Sequence, residues 1–122
     1  MAEEIVPTGR LRVAKSSADI NDEILLPTTK PTMTGTERLD TIISIGFAAE
    51  EALPLGDVGT IGWCYVENLD DTNFVVIRMA TGHTVGLKLK AGEGFFFRCN
   101  ATAPYALADT AAVRIRWVVY ED

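Results

Sequence analysis

The one histidine of this 122-residue chain, His83, sits in the turn-forming run Ala80-Thr81-Gly82-His83. Nucleophilic catalysis needs a base held by a carboxylate beside an activated nucleophile. The serines Ser16, Ser17 and Ser44 have no G-x-S-x-G setting. His83 therefore reads as a surface turn residue. The two cysteines, Cys64 and Cys99, lie 35 positions apart. A disulfide scaffold needs more of them, and a zinc site needs Cys or His at close spacing. They read as two small buried apolar residues. A pair facing each other across adjacent strands stays open, and a cytosol would keep it reduced.

The acidic run Glu67-Asn68-Leu69-Asp70-Asp71-Thr72-Asn73 offers oxygen ligands for calcium. An EF-hand loop starting at Asn68 would need glycine at its sixth position and glutamate at its twelfth. Those positions hold Asn73 and Met79. The run reads instead as a turn, in which Asn and Asp side chains bond the local backbone. Gly82, Gly86, Gly92 and Gly94 match no phosphate-loop pattern. Paired carboxylates for glycoside hydrolysis are assembled in space and not in sequence. Even so, a chain this short without long loops leaves little area for a cleft. No catalytic, cofactor or metal site is expected, and the chain does not read as an enzyme.

The remaining chemistry is that of contact surfaces. Phe95, Phe96 and Phe97 are consecutive, so on a strand they fall on both faces and at least one leaves the main core. Exposed aromatics mark interfaces. Trp63 and Trp117 are expected in the core, where their large area counts most. A sugar-stacking role for them is the lesser alternative.

The elements that position these residues are strands. No 11-residue stretch has the i, i+3, i+4, i+7 apolar pattern of a helix. Val113, Ile115, Trp117 and Val119 alternate with Arg114, Arg116, Val118 and Tyr120, giving one apolar face and one that carries two arginines. Val85, Leu87 and Leu89 alternate likewise and are expected inward. Residues 84–90 and 95–99, joined by Ala91-Gly92-Glu93-Gly94, read as one hairpin. Residues 61–67 and 73–79, flanking Asn68 to Thr72, read as another. Further strands are expected near 9–15, with Leu11 and Val13, and over 39–47. The expected core is Ile61, Trp63, Val75, Ile77, Leu87, Leu89, Val113, Ile115 and Trp117. Pro27 and Pro31 bracket Thr28-Thr29-Lys30, and prolines cannot donate ladder hydrogen bonds. The chain is thus expected to comprise an N-terminal arm with an edge strand, 1–38, and an all-β domain, 39–122. The spacing suits a sandwich or barrel.

Composition narrows the partners. The hydrophobic fraction is 48% and the formal net charge is −6, so the chain is globular and acidic. Its scattered lysines and arginines give no basic patch for nucleic acid. No run of about 18 apolar residues offers a membrane span. The opening Met1-Ala2-Glu3-Glu4 does not resemble a secretory signal, so synthesis in a cytoplasm is expected.

Four segments carry a resemblance: Gly56-Asp57-Val58-Gly59-Thr60-Ile61-Gly62-Trp63, Val66-Glu67-Asn68-Leu69-Asp70-Asp71-Thr72-Asn73, Leu87-Lys88-Leu89-Lys90-Ala91-Gly92-Glu93 and Tyr105-Ala106-Leu107-Ala108-Asp109-Thr110-Ala111-Ala112. In this order they resemble small β-sandwich structural proteins of tailed-bacteriophage virions. The resemblance covers residues 50–122 and consists of turns and strand ends, which specify a fold better than a role. It implies a jelly-roll-like sandwich and a virion component: a capsid cement (decoration) protein on the outer capsid surface, or a head-fibre or tail adaptor. A carbohydrate- or receptor-binding module is the alternative of another class. The implied partners are the major capsid protein and further copies of the chain, expected as a homotrimer. Leu11, Val13, Phe95, Phe97, Arg114 and Arg116 are the expected interface residues.

Overall fold

The computed structural model describes residues 5–27 and 33–122. Parts of the expected arm, namely Met1 to Glu4, Thr28 to Lys30, Pro31 and Thr32, lie outside the described residues. The chain divides into two compact units, Met1–Met33 and Thr34–Asp122. Residues 34–37 belong with the larger unit. There Thr34 Oγ1 and Gly35 N both donate to Asp122 O, at 2.8 and 2.9 Å.

The protein is all-β, built from antiparallel sheets, and no α-helix occurs among the described residues. In the first unit β1 (Arg10–Lys15) and β2 (Ile20–Leu25) pair from Arg10↔Leu25 to Lys15↔Ile20. A short 3-10 turn, Ser16–Ala18, joins them and ends at Asp19, whose φ of 54° lies in the left-handed region. Aspartate tolerates that conformation better than most residues. β1 lies where a strand is expected, whereas β2 is a strand that the polar run from Ser16 to Asp22 does not announce.

The larger unit has eight strands: β3 (Arg38–Ile45), β4 (Glu51–Ala52), β5 (Ile61–Asn68), β6 (Val75–Arg78), β7 (Leu87–Leu89), β8 (Gly94–Arg98), β9 (Tyr105–Ala108) and β10 (Val113–Glu121). They form two four-stranded sheets, ordered β3-β10-β5-β8 and β4-β9-β6-β7. Both sheets contribute to one hydrophobic core: Ile45, Val66, Val113, Ile115 and Trp117 from the first, and Val75, Ile77, Leu89 and Ala106 from the second. Each Val, Leu or Ile buried in this way contributes about 1.5–3 kcal/mol.

Two expected hairpins are corrected. Residues 63–67 pair with 94–98, and 75–77 pair with 87–89. The strands were recognised, but the pairing is nested. The loops at 69–74 and 90–93 carry the chain from one sheet to the other. A loop of that length can turn back beside its own strand, about 4.8 Å away, or cross to a facing sheet about 10 Å away. Turn composition does not distinguish the two. The crossing is held by hydrogen bonds: Asn68 N donates to Glu93 O (2.8 Å), Gly92 N donates to Asn68 O (3.1 Å), and Leu69 N donates to Arg114 O (2.9 Å). In the true β6–β7 pair, a Cβ on Gly86 would lie 2.0 Å from Ile77 O, so only glycine permits that backbone approach.

The expected core holds at Ile61, Val75, Ile77, Leu89, Val113, Ile115 and Trp117 and fails at two positions. Leu87 is 39% exposed, because β7 is an edge strand and only its far end, Leu89, is buried. Its neighbour Val85, also expected inward, precedes the strand and is exposed. Trp63 is half-buried and lies on the outward face of its sheet, because Cys64, Val66 and Asn68 fill the inward positions of β5.

Four carboxylates fasten the larger unit. Glu121 accepts hydrogen bonds from the backbone N–H groups of Gly59 (2.9 Å), Thr36 (3.0 Å) and Glu37 (3.4 Å), which together hold its carboxyl below the ordinary glutamate value. Asp70, bonded by the N–H groups of Asn73 and Thr72, is lowered in the same way. Glu50 is lowered by the Thr81 hydroxyl, the Gly82 N–H and Arg78. Asp40 is lowered by its hydrogen bonds to Arg116. A depressed folded value contributes stability that is present above the unfolded value and is lost as pH falls through the folded one. The ordinary values are 3.8 for aspartate and 4.5 for glutamate. The melting temperature is therefore expected to hold from neutrality down to the upper of these and to drop steadily below them. Calorimetry across an acid series reads this, and a melting temperature that stays level to the acid end would contradict it.

Candidate interaction surfaces

The outward face of the β3-β10-β5-β8 sheet is set by alternation. On β10 the residues Val113, Ile115, Trp117 and Val119 point inward, so Arg114, Arg116 and Val118 point outward. On β5 the outward set is Trp63, Tyr65 and Glu67. On β8 it is Phe96, opposite Tyr65 in the register. Val118 faces Tyr65 from the other side and is buried, although it lies outside the core cluster.

This outward face is aromatic and cationic. The Trp63 and Phe96 ring centroids are 6.1 Å apart and tilted by 49°. The Arg98 guanidinium lies 5.5 Å from the Trp63 ring, and that of Arg116 lies 6.0 Å from the Tyr65 ring. Attraction between a cation and a ring quadrupole suits both distances. The Tyr65 hydroxyl donates to Glu67 Oε1 at 3.0 Å, and burial together with that carboxylate pushes the phenol up. Close packing of Tyr65 over β8 depends on Gly94, where a Cβ would come within 2.7 Å of the tyrosine oxygen. The indole N–H of Trp63 is buried with no hydrogen-bond partner among the described residues.

The cations differ in how free they are. Arg116 makes a two-pronged ion pair with Asp40, Nε to Oδ1 at 3.0 Å and Nη2 to Oδ2 at 2.8 Å. Such planar pairing suits the guanidinium fork. Arg98 pairs with Asp122 at 2.9 Å. Arg114 is exposed and its side chain has no partner among the described residues.

The residues expected at interfaces therefore separate into three places. Arg114 and Arg116 share this outward face. Phe95 and Phe97 belong to the same sheet but point to its other side, where their rings stack at 5.1 Å and pack against the core. Phe96 is the phenylalanine that turns outward. Leu11 and Val13 lie in the first unit, on the hairpin. Trp63, Tyr65 and Phe96 were not singled out for this face. Of these, Trp63 is expected in the core for its bulk, and it instead lies on the outward face.

His83 is exposed in its turn. In the acidic run, Asp70 binds the N–H groups of Thr72 and Asn73, and Asn68 Oδ1 accepts from Asp70 N at 2.8 Å, so these oxygens serve the turn's own backbone. No group of three or more His, Cys, Asp or Glu placed to hold a metal ion occurs among the described residues. Cys64 and Cys99 are free, buried and in contact. The hydrogen bond with Cys99 and burial both push the Cys64 thiol up, which disfavours a reactive thiolate there. No family model, curated protein or solved structure matches the chain.

Proposed function

We propose that the chain is a non-enzymatic structural protein of a tailed-phage particle, a capsid cement protein that binds the outer surface of the assembled shell and bridges its major capsid subunits. The observation that carries the binding role is the outward face of Trp63, Tyr65 and Phe96 flanked by Arg98, Arg114 and Arg116. Tryptophan, tyrosine and arginine are the residue types that dominate binding energy at protein interfaces. The phage assignment rests on the resemblance of residues 50–122.

The fold belonging to this reading is a β-sandwich of jelly-roll type with the N-terminal hairpin as a contact arm. The strand orders β3-β10-β5-β8 and β4-β9-β6-β7 support it, since β3 with β10, β4 with β9, β5 with β8 and β6 with β7 pair in a nested fashion, and every connection except that between β6 and β7 passes from one sheet to the other. Jelly rolls recur in viral capsid and lectin domains, and that likeness is one of architecture alone. A protein that binds the assembled shell and not its free subunits stabilises the shell by mass action.

Two measurements test the proposal. Quantitative mass spectrometry of purified particles is expected to find hundreds of copies. A few copies would move the protein to a vertex, fibre or tail, and its absence would overturn the virion reading. Arg114→Glu, at an exposed side chain without partners, is expected to weaken co-sedimentation with empty heads by about tenfold or more at an unchanged melting temperature. Unaltered co-sedimentation would remove this face from the contact. A second reading, a carbohydrate-binding module, is favoured by the half-buried Trp63 with its unpartnered indole N–H. Retention on sugar resins, with Trp63 protected by the bound glycan, would support it.

A further inference from the structure

The hairpin formed by β1 and β2 has two unlike faces. Residues directly opposite in the register share a face. Leu11/Ile24, Val13/Asp22 and Lys15/Ile20 lie on one, while Arg10/Leu25, Arg12/Glu23 and Ala14/Asn21 lie on the other. The first face is aliphatic and carries one cation and one anion. The second is polar, with Arg10 Nη1 at 3.1 Å from Glu23 Oε2. Every residue of both strands is exposed, and Leu11 and Ile24 keep 59% and 62% of their surface. A two-stranded hairpin is at best marginally stable in water and needs further strands or a packed face. This one has a full six-pair register and an aliphatic face that the described residues of its own unit leave open.

Its charges say what covers it. Residues 5–27 hold three cations, Arg10, Arg12 and Lys15, and three anions, Asp19, Asp22 and Glu23, so they are neutral in a chain of net charge −6. On the aliphatic face Lys15 and Asp22 form no ion pair among the described residues. A strongly charged partner would favour a single sign there. One of each is the pattern of a surface that matches itself.

We propose that this face is covered by the same face of a second copy of the chain. In a two-fold contact the same patch serves both partners, and residue i meets j where j meets i. An axis parallel to the strands and midway between them seats one face on the other, with Leu11 over the partner's Ile24 and the partner's Asp22 over Val13, two residues along the strand from Lys15 and within reach of its long side chain. This contact closes a pair of free chains, and the threefold arrangement expected on the particle is a separate contact. It is a property of the free chain and stands apart from the virion reading.

Sedimentation of the full-length protein without particles tests the proposal. The wild-type chain is expected to form dimers at micromolar concentrations. Lys15→Asp places two anions on the face and Asp22→Lys places two cations, so each variant alone is expected to associate at least about tenfold more weakly. An equimolar mixture of the two restores opposite charges between copies and is expected to recover wild-type association. Pairing within one hairpin could not produce that recovery. A monomeric or trimeric wild-type protein, single variants that associate like wild type, or a mixture without recovery would each overturn the proposal.

Discussion

Replacing Trp117 by alanine is expected to cost about 3–5 kcal/mol and to lower the melting temperature by on the order of 20 °C for a unit of this size. The side chain is fully buried in the middle of β10, between β3 and β5. Thr41 and Val66 are its register partners on the two sides. Its indole N–H donates to Pro54 O at 2.8 Å, so the ring fills the core and also fixes the loop that follows β4. Alanine would leave a large cavity and an unpaired carbonyl, two costs that add. Trp117→Phe separates them, because it keeps most of the packing and loses the donor, and should cost less than the alanine variant. Urea unfolding of both variants provides the measurement. An alanine variant that melts within a few degrees of wild type would show that the core does not close around this ring.

The second large effect is expected at Asn68, the buried polar residue among the hydrophobic side chains. Its Nδ2 donates to Asn73 O at 2.9 Å and to Leu89 O at 3.1 Å, while its Oδ1 accepts from Asp70 N at 2.8 Å. One side chain thus ties the end of β5 to the loop before β6 and to the end of β7. Asn68→Ala would orphan two carbonyls and one N–H. At about 1–3 kcal/mol for each buried group left unsatisfied, the loss is on the order of 4 kcal/mol. Asn68→Asp keeps the size but turns an acceptor toward two carbonyl oxygens. The buried acid is then favoured in its neutral form in the folded state, so its folded value is raised. Stability relative to wild type is present below the unfolded aspartate value and is lost as pH rises. Chemical denaturation of Asn68→Asp at acid and neutral pH should therefore show the larger deficit at neutral pH. Equal deficits would mean that the amide's donors are not what holds the crossing.

Several elements were legible because they alternate over a long run. Strands β3, β5 and β10 have seven or more residues with one apolar set, and period-two patterning is the strongest local signal of a half-buried strand. The hairpin strand β2 was not legible. Its run Ile20 to Leu25 is interrupted by Asn21, Asp22 and Glu23, and it belongs to a unit without a core of its own. The strands β4 and β9 were not legible, because β4 has two residues and β9, Tyr105 to Ala108, carries small alanines where a strand run would show β-branched or large apolar residues.

The candidate face was half legible. Arg114 and Arg116 were assigned outward because charge opposes burial on their strand. Trp63 was assigned inward on bulk, yet alternation fixes only which residues share a face and not which face meets the core. The inward positions of β5 are taken by the smaller Cys64, Val66 and Asn68, with Trp117 of the neighbouring strand β10 beside Val66 on the same face. Sequence by itself determined the strand class, the parity of side chains along each strand and the chemical character of the surfaces, because these depend on neighbours within a few residues. Only the tertiary structure decided the nested pairing, the outward turn of the aromatic layer and the central role of Asn68. Those depend on which sheet each loop reaches, and a loop's composition does not encode the distance it must span.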